Sequence, residues 1–192
     1  MGETRAATVN QSPGQVVGLT FQTLLNPADC SSCASGALLL RAANFRVRTV
    51  TTVCTFSVEV TIVGAKTGSG CALEPDPSVV LCGPVVADIT SPSTLSFTAS
   101  VPLPANCCIT GPAFLRIRLL SAGNCASPSS PFWGFAGPCI SCRSFIEDPP
   151  SPQGEACADG WAANPVQWVD ADCCDPTPSL HRTWGSLKTL YH

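Results

Sequence analysis

Thirteen cysteines in 192 residues constrain this chain more than any other feature. They are Cys30, Cys33, Cys54, Cys71, Cys82, Cys107, Cys108, Cys125, Cys139, Cys142, Cys157, Cys173 and Cys174. In a reducing cytosol so many thiols are oxidisable liabilities, whereas an oxidising compartment turns them into staples. The expectation is a disulfide-stapled protein of the cell exterior or cell surface. The count is odd, so one cysteine is left for a thiol or for a bond to another chain. The vicinal pairs Cys107-Cys108 and Cys173-Cys174 refine this. Neighbours on an extended chain point to opposite sides, so each member reaches a different partner and ties its segment to two others.

Two CxxC pairs, Cys30 to Cys33 and Cys139 to Cys142, invite other readings. A four-cysteine zinc site brings such pairs within ~15–20 residues of each other, and here they lie far further apart. A redox CxxC sits at a strand-to-helix turn whose dipole lowers the thiol pKa, and no βαβ pattern is present. Structural disulfides are the favoured reading.

Alternation of apolar and polar residues then sets the fold class. Residues 14–25 place Val17, Leu19 and Phe21 on one face. Residues 37–53 set Phe45, Val47 and Val50 against Arg46 and Arg48. Residues 54–64 bury Phe56, Val58, Val60 and Ile62. Residues 113–122 set Leu115, Ile117 and Leu119 against Arg116 and Arg118. Each is a period-two strand pattern. Shorter candidates lie at 78–82, 84–90, 93–103, 131–135 and 165–171, with a turn at 66–70. Eighteen prolines confine themselves to loops and edge strands in such a fold. The prediction is an all-β, antiparallel β-sandwich, jelly-roll-like or Greek-key.

The predicted organisation is a polar arm at 1–13, one sandwich domain at 14–180, and a helical tail at 181–192. Within the domain, residues 136–180 read as a disulfide-pinned, loop-rich flap. The tail follows from Leu180, Trp184, Leu187 and Tyr191, an apolar stripe at helical spacing that needs a surface to dock on, with Gly185 weakening it. The N-terminus carries no apolar leader core, so the sequence is expected to begin near a mature end. No apolar run approaches the ~20 residues of a membrane-spanning helix.

Few residues offer catalysis. His181 and His192 are the chain's histidines and both fall in the tail, so no Ser/His/Asp set forms within the sandwich. Neither a nucleophile elbow nor a phosphate loop occurs. Asp170, Asp172 and Asp175 are weak calcium candidates, more readily solvated turn carboxylates than ligands, and no other cofactor is expected. Acids such as Asp170 and Asp172 are the best candidates for a glycan hydrolase, a third-ranked reading. A net charge of -3 without a basic run excludes an electrostatic footprint for nucleic acid. Asn10 opens the sole N-glycosylation sequon. Trp133, Trp161, Trp168 and Trp184 suit either a packed core or sugar stacking, and the core is favoured.

Hydrophobic residues make up 45% of the chain and charged residues 12%, about half the usual charged share. Soluble domains normally keep a charged surface, so much of this surface is expected to be covered by partners, by glycans or by further copies. The segments PANCCITGPAFLRIRLLSAGNC, PFWGFAGPCISCRSF, VQWVDADCC and TWGSLKTLY resemble uncharacterised secreted, Cys-rich β-sandwich proteins of environmental bacteria. The similarity lies mainly over residues 100–191. That resemblance implies a β-sandwich without an assigned catalytic activity, in relatives that often continue into a sorting or anchoring module.

The expectation is therefore a non-catalytic extracellular subunit, self-assembling into a filament or surface layer. Two segments are the expected subunit contacts. One is the N-terminal strand with Val17, Leu19 and Phe21, which would add to a neighbour's sheet. The other is the tail with Leu180, Trp184, Leu187 and Tyr191. The alternative is an adhesin that reads carbohydrate through tryptophans of the C-terminal third.

Overall fold

The computed structural model describes residues 18–30, 33, 36–49, 53–92, 96–125 and 131–174. The arm with Asn10, Val17, Asp175, both histidines and the predicted tail helix lie outside the described residues. What is described is an all-β sandwich held by antiparallel pairings.

Among the described residues there are thirteen strands: β1 (Thr20–Leu25), β2 (Leu38–Arg48), β3 (Thr55–Lys66), β4 (Glu74–Thr90), β5 (Phe97–Pro102), β6 (Cys108–Ile109), β7 (Ala113–Ser121), β8 (Phe132–Trp133), β9 (Phe135–Ala136), β10 (Ser144–Glu147), β11 (Gly154–Glu155), β12 (Asn164–Pro165) and β13 (Gln167–Cys173). One sheet runs β11-β10-β1-β7-β3-β4. The second runs β13-β2-β5, with β6 and β8 also paired to β2, and β12-β9 forms a small ribbon.

The alternation read from the sequence maps onto the two inner faces. Phe56, Val58, Val60 and Ile62 on β3, Leu115 and Ile117 on β7, and Phe45 and Val47 on β2 are fully buried. Trp133 fills the gap between the sheets. Its ring stacks on Phe45 at 5.4 Å and on Phe21 at 5.0 Å, and Phe21 also meets Phe135 and Trp161 edge-on. One polar link crosses this interior. Gln167 of β13 donates from Nε2 to Thr23 Oγ1 at 2.8 Å and to the Leu115 carbonyl at 3.2 Å.

A second, smaller core lies on the other side of the six-stranded sheet. Phe114, Phe145, Val63 and Cys71 pack there with Leu24, Ala65, Leu73 and Cys142. Two loops cover it, one after β3 and one before β10, and the Cys71–Cys142 bridge joins them. On this side of β1, Leu24 packs against the second core and Gln22 donates from Nε2 to Gln153 Oε1 at 2.6 Å, and Thr20 and Gln22 are as inaccessible as Phe21.

Two expectations need correction. Residues 20–25 complete their own sheet, bonded to β10 on one edge and β7 on the other, so Leu19 and Phe21 pack inside their own domain rather than at a subunit contact. Within the loop-rich stretch 136–180, β10 extends the six-stranded sheet and β13 the second one. The two short strands expected at 78–82 and 84–90 are one, β4. Prolines at 75, 77 and 84 do not end it, since an edge strand needs fewer N–H donors. Register shifts and Gly83 absorb the misfit. Gly83 has φ +89°, and a Cβ there would stand 2.9 Å from the Val60 carbonyl oxygen.

Trp133 Nε1 is buried without a hydrogen-bond partner. Trp133→Phe, which discards that orphaned donor, should therefore cost clearly less than Trp133→Ala, for which a loss of about 3–5 kcal/mol is expected. Urea unfolding of the two variants against the parent checks the order.

Candidate functional site

Six disulfides are present. Neither CxxC motif closes on itself. Cys33 pairs with Cys173, Cys139 with Cys157, and Cys142 with Cys71. The vicinal pairs divide as their geometry requires: Cys107 joins Cys82 while Cys108 joins Cys174, and Cys173 joins Cys33. These bridges run in series through two peptide bonds, linking β4, β6, the end of β13 and the loop after β1. Cys54–Cys125 closes the opposite region. The remaining cysteine is Cys30, whose Sγ lies 3.4 Å from that of Cys33. A set of six bridges forms and persists in an oxidising compartment.

The most distinctive surface lies along β4, the outer strand of the six-stranded sheet. Val79, Val80, Leu81 and Val86 are all exposed there, Val86 by 63%. The sequence signal is the doublets Val79-Val80 and Val85-Val86. Consecutive apolar residues cannot all face inward from a strand, so one of each pair has to face out. A cleft of about 250 Å³ opens between Val80–Gly83 of β4 and Pro104, Asn106 and Cys107. That is below the ~300–1,000 Å³ of small-molecule sites and suits an inserted side chain better than a cofactor. At the bulged start of β4, Asp76 accepts from the Ser78 hydroxyl at 2.6 Å and from the Ser78 N–H at 3.1 Å. These bonds hold its carboxyl below the usual range. Its contribution to stability is thus present above that range and disappears as the pH falls through the lowered value.

The predicted acids are not brought together as a site. Asp170 and Asp172 stand on β13, both exposed, and Asp172 is engaged by Arg41 Nε at 2.8 Å. Among the described residues, no group of three or more His, Cys, Asp or Glu side chains is placed to hold a metal. A half-buried ion cluster that sequence reading missed lies on the covered face. There Arg116 reaches Glu59 at 3.3 Å and Glu147 at 3.8 Å. Its partners come from β3 and β10, so only the strand order reveals it.

The described tryptophans, Trp133, Trp161 and Trp168, do not form a row. Trp133 is in the core and Trp161 stacks on Phe135 at 5.1 Å. Trp168 is 39% exposed, on the outer face of β13, directly across from Asn44, with Ser100 of β5 next in the same row. Asn44 is buried and its Nδ2 has no partner. No helix among the described residues is long and apolar enough to cross a membrane. No known protein family, curated protein or solved structure matches the chain.

If the series of bridges is what holds the β4 edge in place, replacing Cys82 and Cys107 together by alanine should lower stability by about 2–5 kcal/mol. It should also speed backbone amide exchange along β4 before exchange in β7. Hydrogen exchange resolved by strand measures this, and uniform loss of protection would contradict it.

Proposed function

We propose that this chain is a non-catalytic structural subunit of an extracellular assembly, built by association of copies into a filament or surface layer. The observation that carries the reading is the open edge of β4 with its exposed Val79, Val80, Leu81 and Val86. Unpaired strand edges bearing apolar side chains are templates for association, and proteins that remain single normally blunt them with charge. Here the low charged fraction of 12% points the same way. The bridges supply what an exposed building block needs, a fold that survives without cellular reductants or chaperones.

Strand exchange through residues 20–25 is not part of this reading, because β1 already has partners on both sides within its own chain. Electron microscopy of the non-reduced protein, with a non-reducing gel alongside, tests the reading. Ordered particles much larger than one chain are expected. A monodisperse single chain at all concentrations would remove it.

A second reading rests on Trp168. An exposed indole beside polar groups of Asn44 and Ser100 is the composition of a sugar-stacking face. On that reading the protein is an adhesin, and Trp168→Ala abolishes binding in a glycan screen while leaving the fold intact. Binding that survives the substitution would place any sugar site elsewhere.

A further inference from the structure

The outer edge of β4 has a register in which it can pair with itself. Ser91 N donates to the Cys54 carbonyl at 2.8 Å, and pairing from Thr55↔Thr90 to Val60↔Val85 runs without a register shift. In a regular antiparallel ladder, bonded residues alternate. Ile89, Ala87 and Val85 therefore turn their N–H and C=O groups toward β3. Thr90, Asp88 and Val86 turn theirs to the open edge. This window contains no proline, no lysine and no bulge, unlike the start of β4, where prolines and shifts blunt the edge.

The other edges are less receptive. β11 has two residues. β13 carries the exposed carboxylates Asp170 and Asp172, which would face their own counterparts. β5 exposes Thr98, Ser100 and Pro102. Val86 thus stands out as a β-branched side chain left uncovered at an otherwise ordinary strand edge.

We propose that Val85–Thr90 of β4 is a joint to a second copy of this chain, pairing antiparallel about a two-fold axis at Ala87. This rests on the assembly reading above and specifies its contact. Sheet continuity decides the register, since a side chain and its cross-strand partner must share a face. Three registers keep the faces matched and overlap well. Centring on Asp88 sets carboxylate against carboxylate. Centring on Val86 pairs Pro84, which has no N–H, with Asp88 and sets Thr90 opposite Cys82 in the shifted part of β4, for about four hydrogen bonds. Centring on Ala87 pairs Val86 with Asp88 twice and Pro84 with Thr90 twice. In that last register Pro84 contributes its carbonyl, for about six hydrogen bonds in all.

Charge fits this arrangement, because each carboxylate lies opposite a valine and its oxygen is already engaged by the Ser57 hydroxyl at 2.5 Å. On the inner face, Val85 and Ala87, half-buried in one chain, would be covered by Ile89 and Ala87 of the other. A two-fold joint closes on itself, so extension into a filament or layer takes a second, different contact.

Sedimentation velocity of the full, non-reduced chain over a wide concentration range tests the joint, using Val86→Pro and Asp88→Asn. Val86→Pro removes an N–H that faces the open edge and none that bonds β3. The two-fold axis makes each change act twice, so its dimer dissociation constant should rise about 10–100-fold. Asp88→Asn lifts the remaining diagonal repulsion between carboxylates and should tighten the dimer. Val86→Glu, which sets a carboxylate directly opposite Asp88 of the other copy twice over, serves as a second disrupting variant, with far-UV circular dichroism confirming the fold of each. A parent that stays monomeric, or a Val86→Pro and Val86→Glu pair that dimerises like the parent, overturns the joint. So does a dimer that is lost on deletion of residues 1–17 but insensitive to Val86. Large particles by microscopy that persist in Val86→Pro and Val86→Glu would remove this joint and leave the assembly reading standing. Neither dimers nor particles in the parent would remove both.

Discussion

The structure depends on three covalent bonds in series. Cys82–Cys107, Cys108–Cys174 and Cys173–Cys33 are joined head to tail by the peptide bonds of the two vicinal pairs. The series starts on the outer strand of one sheet, crosses to the short β6 beside β2, and ends in the loop that follows β1. Both sheets and the final strand of the sandwich are therefore fixed to one another independently of packing. Cys33–Cys173 alone closes 140 residues, and a closure of that length removes about 5 kcal/mol of unfolded-chain entropy in the chain-entropy model. With such a frame, the hydrophobic interior has less to do than in a cytosolic domain of equal size. That explains how a chain with strands of two residues, such as β6, β8, β9, β11 and β12, keeps a defined topology.

Much of the interior was legible in the sequence because period-two alternation survives wherever one face is buried. Phe56 to Ile62 and Leu115 to Leu119 landed inward as read. The different partners of the vicinal cysteines followed from the geometry of an extended chain. Other features were hidden for physical reasons. β10 is four residues long, and three of them are buried because a loop-built second core covers its outer side, so no alternation marks it. β4 was broken by prolines on paper and held together in space by its edge position and by Gly83. The location of β1 between β7 and β10 depends on strand order, which local pattern does not encode.

The candidate surfaces divide similarly. The β4 edge had a sequence trace in its valine doublets, yet that Val86 rather than Val85 faces out depends on the register with β3. Trp133 and Trp161 were ambiguous between core and ligand face until the aromatic stack around Phe21 placed both in the domain's own packing. Arg116 reads as an outward residue of a strong strand. It becomes a half-enclosed ion cluster once Glu59 and Glu147 are brought beside it.

The vicinal pair at the end of β13 also sets where force would travel. Tension applied to the chain beyond Cys174 enters the domain at a residue bonded to Cys108, whose neighbour is bonded to Cys82 on β4. The load reaches the outermost strand of the opposite sheet through covalent bonds, without unzipping β13 from β2. A domain wired in this way resists pulling as a single knot rather than as a stack of hydrogen-bonded strands.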